Sequence, residues 1–130
     1  MTTDRQHVSS GARWESIVGY SRAVRVGNHV AVAGTVAVDA DGNVVAPGDA
    51  YEQTKAILAT IGAALAEAGA GFEHVVRTRS FITDVSLWED FGRAHGEVFA
   101  DIRPASTLVE VSGLLGDGTV IEIEVEAIIS

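Results

Sequence analysis

The 130-residue chain is expected to fold as one α+β domain, with two helices packed on one face of a mixed, mostly antiparallel sheet. Two observations point there. Alternating apolar and polar residues run through both ends of the chain and part of its middle, whereas two stretches in between repeat at helical spacing. Clusters of Gly, Asn and Asp separate these stretches as turn signals. Helices that interrupt a mostly antiparallel sheet gather on one side of it.

Each element has its own signal. SRAVRVGNHVAVAGTVAV alternates on both sides of Gly27-Asn28, two residues that tolerate positive φ, and so predicts two antiparallel strands joined by a tight hairpin. DADGN at 39–43 is a second turn, and VVA at 44–46 is a short optional strand. At Asp49 the period changes: Asp49 and Glu52 suit a capping box, Ile57, Ile61, Leu65 and Ala68 form a helical stripe, and Gly69 suits a left-handed C-cap. VVRTRSFITDV at 75–85 returns to a period of two. Ser86 with Glu89 repeats the capping pattern before Trp88, Phe91, His95 and Phe99, a second amphipathic helix. RPASTLVEV and VIEIEVEAII supply the last two strands, separated by the glycine-rich GLLGDGT. The apolar content of 30–36 and 120–129 calls for cover on both faces, so a homo-oligomer is expected.

Composition narrows the function. Residues 13–130 are taken as the single domain and residues 1–12 as a flexible N-terminus. A net charge of -9, with the basic residues scattered, repels phosphate backbones and makes a nucleic-acid partner unlikely. No cysteine is present, which removes disulfides, thiolate nucleophiles and sulfur-ligated zinc. No stretch has the character of a secretory signal or approaches ~18 apolar residues, so a cytoplasmic protein without a membrane partner is expected.

Candidate chemistry is sparse. Glu122, Glu124 and Glu126 share one strand face at ~6.6 Å spacing. They read either as a solvated outer face or as a row in which one carboxylate is desolvated and suited to proton transfer. His7, His29, His74 and His95 show no metal-ligand spacing, so no metal is expected. His95, on an apolar helix stripe, reads as a hydrogen-bonded core or interface histidine rather than a catalytic one. Gly34, at a strand end, reads as a bulge or as a close approach of backbone to a ligand. GxSxG, GxxxxGKS and GxGxxG are all missing. In RPASTLVEV, period two sets Ser106, Leu108 and Glu110 on one face and Thr107, Val109 and Val111 on the other, with Arg103 before the strand.

Taken in order, GYSRAVRVGNHVAVAGT, DAYEQT, LAEAGAGFEHVVRTRSFITDV, FxxxHGEVF, RPASTLVEVSGL and IEIEVEA resemble the Rid family, also called YjgF or endoribonuclease L-PSP. The resemblance implies a chorismate-mutase-like fold and a homotrimer with a cleft between each pair of subunits. Best-known members hydrolyse small enamines and imines such as 2-aminoacrylate, as deaminase-type hydrolases without metal or cofactor. Matched to the family pattern, Tyr20 is the pocket tyrosine and Gly34 the glycine that helps hold the substrate through its backbone. The water-positioning glutamate matches Glu122 or Glu124, depending on one extra residue in the closing turn, with Glu122 preferred.

Three pocket positions depart from that pattern together. Where imine-hydrolysing members read P-A-R-S, this chain reads Pro104-Ala105-Ser106-Thr107, so Ser106 replaces the arginine that grips the substrate carboxylate. Leu108 replaces a cysteine, and Gly92 replaces an asparagine. Exchanging two charge-assisted hydrogen bonds for one neutral bond should cost about 2–5 kcal/mol for an anionic substrate, or ~30-fold to several thousand-fold in affinity. Arg103 is placed too early to substitute, whereas Arg22 or Arg79 of a neighbouring chain could enter the cleft. The expected function is therefore a small-molecule site for a less anionic imine-like or enamine-like metabolite, served by Tyr20, Gly34, Ser106, Thr107 and Glu122. A non-catalytic metabolite-binding or regulatory trimer is the second reading, and an endoribonuclease the third.

Overall fold

The computed structural model describes residues 4–130. Six strands form one sheet in the order β1-β2-β3-β6-β4-β5. They are β1 Arg5–Val8, β2 Ala23–Val26, β3 His29–Thr35, β4 Val75–Ile82, β5 Ala105–Glu110 and β6 Ile121–Ile128. All neighbours are antiparallel except β4 and β5, which run parallel. A parallel pair needs a crossover, and helix α2, Trp88–Phe99, supplies it.

Helix α1, Ala50–Glu67, begins as its sequence predicts: the Asp49 side chain accepts from the Glu52 N–H at 3.0 Å. It ends at Gly69, whose φ of 84° is the left-handed geometry that glycine tolerates best. Its stripe of Ile57, Leu58, Ile61 and Leu65 is fully buried against Val30, Ile121, Ile123, Val125 and Ala127 of the sheet. Each such aliphatic side chain removed from water contributes about 1.5–3 kcal/mol. The core thus lies between the helices and one sheet face. The opposite face carries Glu122, Glu124 and Glu126 of β6 beside Phe81, Arg79 and Arg77 of β4.

Four expectations change. Part of the segment taken as flexible is a strand: Arg5–Val8 pairs with Ala23–Val26, and Val8 is buried. Its four residues are too short and polar to announce a strand, and the exposed edge of β2 is what orders them; residues 1–3 lie outside the described residues. At 44–46 there is only a single bridge, Val38 to Val44, because Val45, Ala46 and Pro47 turn away towards α1. Ser86 does not cap α2. A 3-10 turn, Val85–Leu87, comes first, and Asp84 caps it by accepting from the Ser86 N–H and hydroxyl. Finally, β6 is not apolar on both faces, since its second face is the row of carboxylates.

Candidate functional site

The chain reverses at Gly19, whose φ is 90°, and Tyr20 follows in extended conformation. Tyr20 stays 39% exposed at the end of the 15–19 turn. Two residues on, Arg22 lies beside the β3 bulge: the Ala33 N–H donates to its carbonyl at 3.0 Å, and its Nη2 donates to the Gly34 carbonyl at 2.6 Å. The ladder between β3 and β6 shifts between Val32 and Thr35, so Gly34 sits in an irregular step of the strand. Glu122 of β6 fills the space over Gly34. A Cβ there would lie 2.5 Å from Glu122 Oε2 and 3.2 Å from its Cδ. Gly34 is thus both the bulge and the close approach that its position suggested, and the group approaching it is a carboxylate.

Electrostatics singles out Glu122 among the three aligned glutamates. Arg79 donates from Nε to Glu124 at 2.9 Å and from Nη2 to Glu126 at 2.7 Å, and Glu126 also faces His29 Nε2 at 3.4 Å. Glu122 has no such ion pair among the described residues. Burial raises its pKa above the ordinary carboxylate range, Arg22 opposes that shift, and the charge of Glu124 adds to it. Burial likewise works against the Arg22 charge, while Tyr20, Glu15 and Glu122 support it. Glu15 is held low, chiefly by the hydroxyl of Ser10. The result is a half-buried Arg22–Gly34–Glu122 cluster at one end of the helix-free sheet face, with the exposed Tyr20 two residues before Arg22.

The other predicted residues lie elsewhere. Ser106 pairs with Thr78 and Leu108 with Ser80, and both β4 partners are buried on the helix side. Ser106 and Leu108 therefore point to the helix side of edge strand β5, and Thr107, opposite Arg79, points to the open face. Gly92 lies on α2, where a Cβ would meet nothing within 4 Å. Glu122 is two strands removed from β5, through Phe81 and Val109, and on the opposite face from Ser106. At about 4.8 Å per strand that is roughly 10 Å plus the thickness of the sheet. One chain does not bring Ser106 and Glu122 face to face.

Arg79 is committed to Glu124 and Glu126, and Arg103, with φ of 56°, precedes β5. Arg22, which the sequence offers as an arginine entering from a neighbouring chain, meets Gly34 of its own chain, the residue that Glu122 also covers. Its signal was parity, since it lies two residues after Tyr20. Two concave surfaces of the single chain lie elsewhere. A groove of about 490 Å³ lies at the start of α1 near Tyr51 and Arg93, and a hollow of about 140 Å³ lies around Arg79 and Glu124. Among the described residues no helix is long and apolar enough to cross a membrane.

A six-stranded, mostly antiparallel sheet with one parallel pair and two helices on one face defines the chorismate-mutase-like fold of YjgF-type proteins. The chain belongs to the endoribonuclease L-PSP family, the YjgF or Rid family, whose model matches residues 10–129. An uncharacterised protein of Streptomyces coelicolor is 42% identical over 122 residues, covering 94% of this chain and 90% of that one. A RutC family protein of Pyrococcus abyssi is 38% identical over 109 residues, 84% of each chain. The crystal structure of a YjgF/YER057c/UK114 family member from Mycobacterium tuberculosis superposes with a TM-score of 0.88 at 44% identity, covering 97% of this chain and 100% of that one.

Proposed function

We propose that the protein is a homotrimer that hydrolyses small imines or enamines of low negative charge in clefts shared by neighbouring subunits. The observation that carries this reading is the division of the site. Glu122, Arg22 and Gly34 lie together on the open face, with Tyr20 two residues before Arg22, while Ser106 and Leu108 lie across the sheet at the edge of β5. Only a second copy can set one group opposite the other. Edge strand β5, almost wholly exposed, is the side from which a neighbour would be met.

In such a cleft the Glu122 carboxylate accepts a proton from water as the water oxygen attacks the C=N carbon, and the C=N electron pair goes to nitrogen, which takes up a proton. The resulting carbinolamine loses ammonia when the protonated Glu122 returns its proton to the leaving nitrogen and the hydroxyl releases its proton to solvent as the C=O bond forms, which balances the proton that the nitrogen took from solvent. The balance is one imine plus one water giving one carbonyl compound plus one ammonia, with no redox partner. Arg22 favours the ionised form of Glu122 and so opposes part of the effect of its burial, and the Tyr20 hydroxyl orients the water. The Arg22 charge is shared between Glu15 and Glu122, so it does not replace a guanidinium dedicated to a substrate carboxylate.

The test generates imines in situ and follows their decay with a trapping reagent, comparing 2-imino acids with carboxylate-free imines, alongside the oligomeric mass in solution. Faster decay of the carboxylate-free imines by a species of three chains is the expected result. Rapid hydrolysis of 2-iminopropionate would overturn the reading of Ser106. A folded trimer that accelerates no imine would mark a metabolite-binding protein, recognised by thermal stabilisation in a ligand screen. RNA cleavage that is lost on further purification would remove the endoribonuclease reading, which the charge of -9 already opposes.

Gly34→Ala supplies a local prediction. The new methyl meets the end of a flexible side chain, so stability should change by only about 1 kcal/mol or less. The Glu122 carboxylate, however, must move. Hydrolysis should fall at least ~10-fold while the melting temperature moves by a few degrees.

A further inference from the structure

Beneath Ser106 runs a chain of hydrogen bonds that no part of the hydrolytic reading uses. Thr78 Oγ1 donates to Ser106 Oγ at 2.9 Å and lies 3.0 Å from His95 Nε2. Thr78 is fully buried, whereas Ser106 is exposed. His95 is wedged between Phe91 and Phe99, with ring centroids 5.3 Å and 4.7 Å away. Nε2 is the ring nitrogen with a hydrogen-bond partner among the described residues. Thr78 gives its one hydroxyl proton to Ser106 and can therefore only accept from His95, so the neutral ring carries its proton on Nε2. Burial alone pushes the His95 pKa down, which keeps the ring neutral near pH 7.

Direction follows from proton counting. With Nε2–H donating to Thr78, the single Thr78 hydroxyl proton is left for Ser106, and the Ser106 oxygen accepts it. The Ser106 proton is then free to point outward, away from the core. Leu108, two residues along, presents an apolar neighbour on the same face of β5. Gly92, one turn before His95 on α2, leaves the adjacent space unfilled.

We propose that Thr78 and His95 are positioning residues that aim the Ser106 hydroxyl as a fixed hydrogen-bond donor, so that the cleft selects substrates bearing a neutral carbonyl acceptor, an amide or ester oxygen beside the C=N bond. A single neutral donor beside leucine satisfies an amide oxygen but leaves most of a carboxylate's charge desolvated and unpaired. The substrate class rests on the hydrolytic reading above. The hydrogen-bond chain does not.

The experiment therefore has two readouts. The first is the tautomer of His95 in the whole protein at pH 7.5, by two-bond proton–nitrogen correlation. Nε2–H is expected, with ring shifts that move in Ser106→Ala and Thr78→Val; an Nδ1–H ring, or shifts unmoved by Ser106→Ala, overturns the chain. The second is the hydrolysis of a 2-imino amide, made by loss of HCl from the N-chloroamino amide. Ser106→Ala and Thr78→Val should each raise KM ~5–20-fold with kcat within about twofold, the double variant should be no worse than Ser106→Ala, and Thr78→Ser should restore KM. His95→Gln, which can still donate, should stay near wild type, whereas His95→Phe should match Thr78→Val. A Thr78→Val protein with wild-type KM overturns the positioning role, as does one whose loss appears only in stability. A wild-type protein that turns over no imine sinks the hydrolytic reading and the substrate class with it, and leaves the His95 spectrum to decide the chain.

Discussion

Glu122→Gln should lower kcat for imine hydrolysis by about 10²–10⁴-fold, the range for removing a general base, while the chain folds and assembles as before. The substitution keeps the side-chain volume and the contact over Gly34 but cannot take a proton from water. Glu124→Gln and Glu126→Gln should cost far less activity, because both carboxylates serve Arg79. If Glu124→Gln were the inactive variant and Glu122→Gln the active one, the proton-transfer role would pass to Glu124.

The pH dependence carries the same assignment. Hydrolysis requires ionised Glu122, so kcat/KM should fall as pH drops through its raised pKa, placing the acid limb above the ordinary carboxylate range. Removing the Arg22 charge, as in Arg22→Gln, takes away the influence that lowers this pKa and should move the limb higher still. Stability moves in the opposite sense. With its pKa higher folded than unfolded, Glu122 binds its proton more tightly in the folded chain. Its contribution is greatest in acid and is lost as pH rises from the ordinary carboxylate pKa through the raised one. Glu122→Gln should therefore lose less stability than wild type between pH 4 and pH 7, measured by urea midpoint.

What could be read in advance was whatever rests on local periodicity. The α1 stripe from Ile57 to Ala68, the Gly27-Asn28 hairpin and the face alternation of β5 and β6 each follow from a window of some ten residues. Arg5–Val8 was missed because its pairing with β2, not its own sequence, makes it a strand. In the candidate site, Gly34 and Glu122 could be named separately, but their apposition depends on the β3–β6 register and on the step between Val32 and Thr35. No local pattern encodes a contact between residues so far apart. The Thr78–His95–Ser106 chain had the same obstacle: three polar residues on three elements, each unremarkable until β4, β5 and α2 meet.

Gln53 shows how a position can be legible while its purpose is not, and it carries the largest stability effect expected here. It lies one helical turn before Ile57 on the α1 stripe and is fully buried. Its Nε2 donates to the carbonyls of Val45 and Ala46 at 3.1 Å and of Gly118 at 2.8 Å, and its Oε1 accepts from the Val120 N–H at 2.9 Å. One side chain thus ties the loop entering α1 to the turn leading into β6, where Gly118, with φ of 83°, packs so closely on Pro47 that a Cβ would lie 2.5 Å away. Gln53→Leu keeps the volume but takes this partner from the Val45 carbonyl and the Val120 N–H, while the Ala46 and Gly118 carbonyls keep the Asp49 and Gly48 N–H groups, so the protein should be destabilised by about 2–4 kcal/mol. Gln53→Glu is the sharper test. Its carboxylate can still accept from Val120 but must face the carbonyls with a second oxygen, so its own pKa should rise, and a protonated oxygen restores a donor to them. The Glu variant should be severely destabilised at pH 7 and recover relative to wild type at pH 4–5, whereas the Leu deficit should stay nearly constant across that range. Because the tie ends two residues before Glu122, a partial rescue at low pH also separates loss of folding from loss of the site: the chain would regain structure where the Glu122 carboxyl is protonated and hydrolysis is still off.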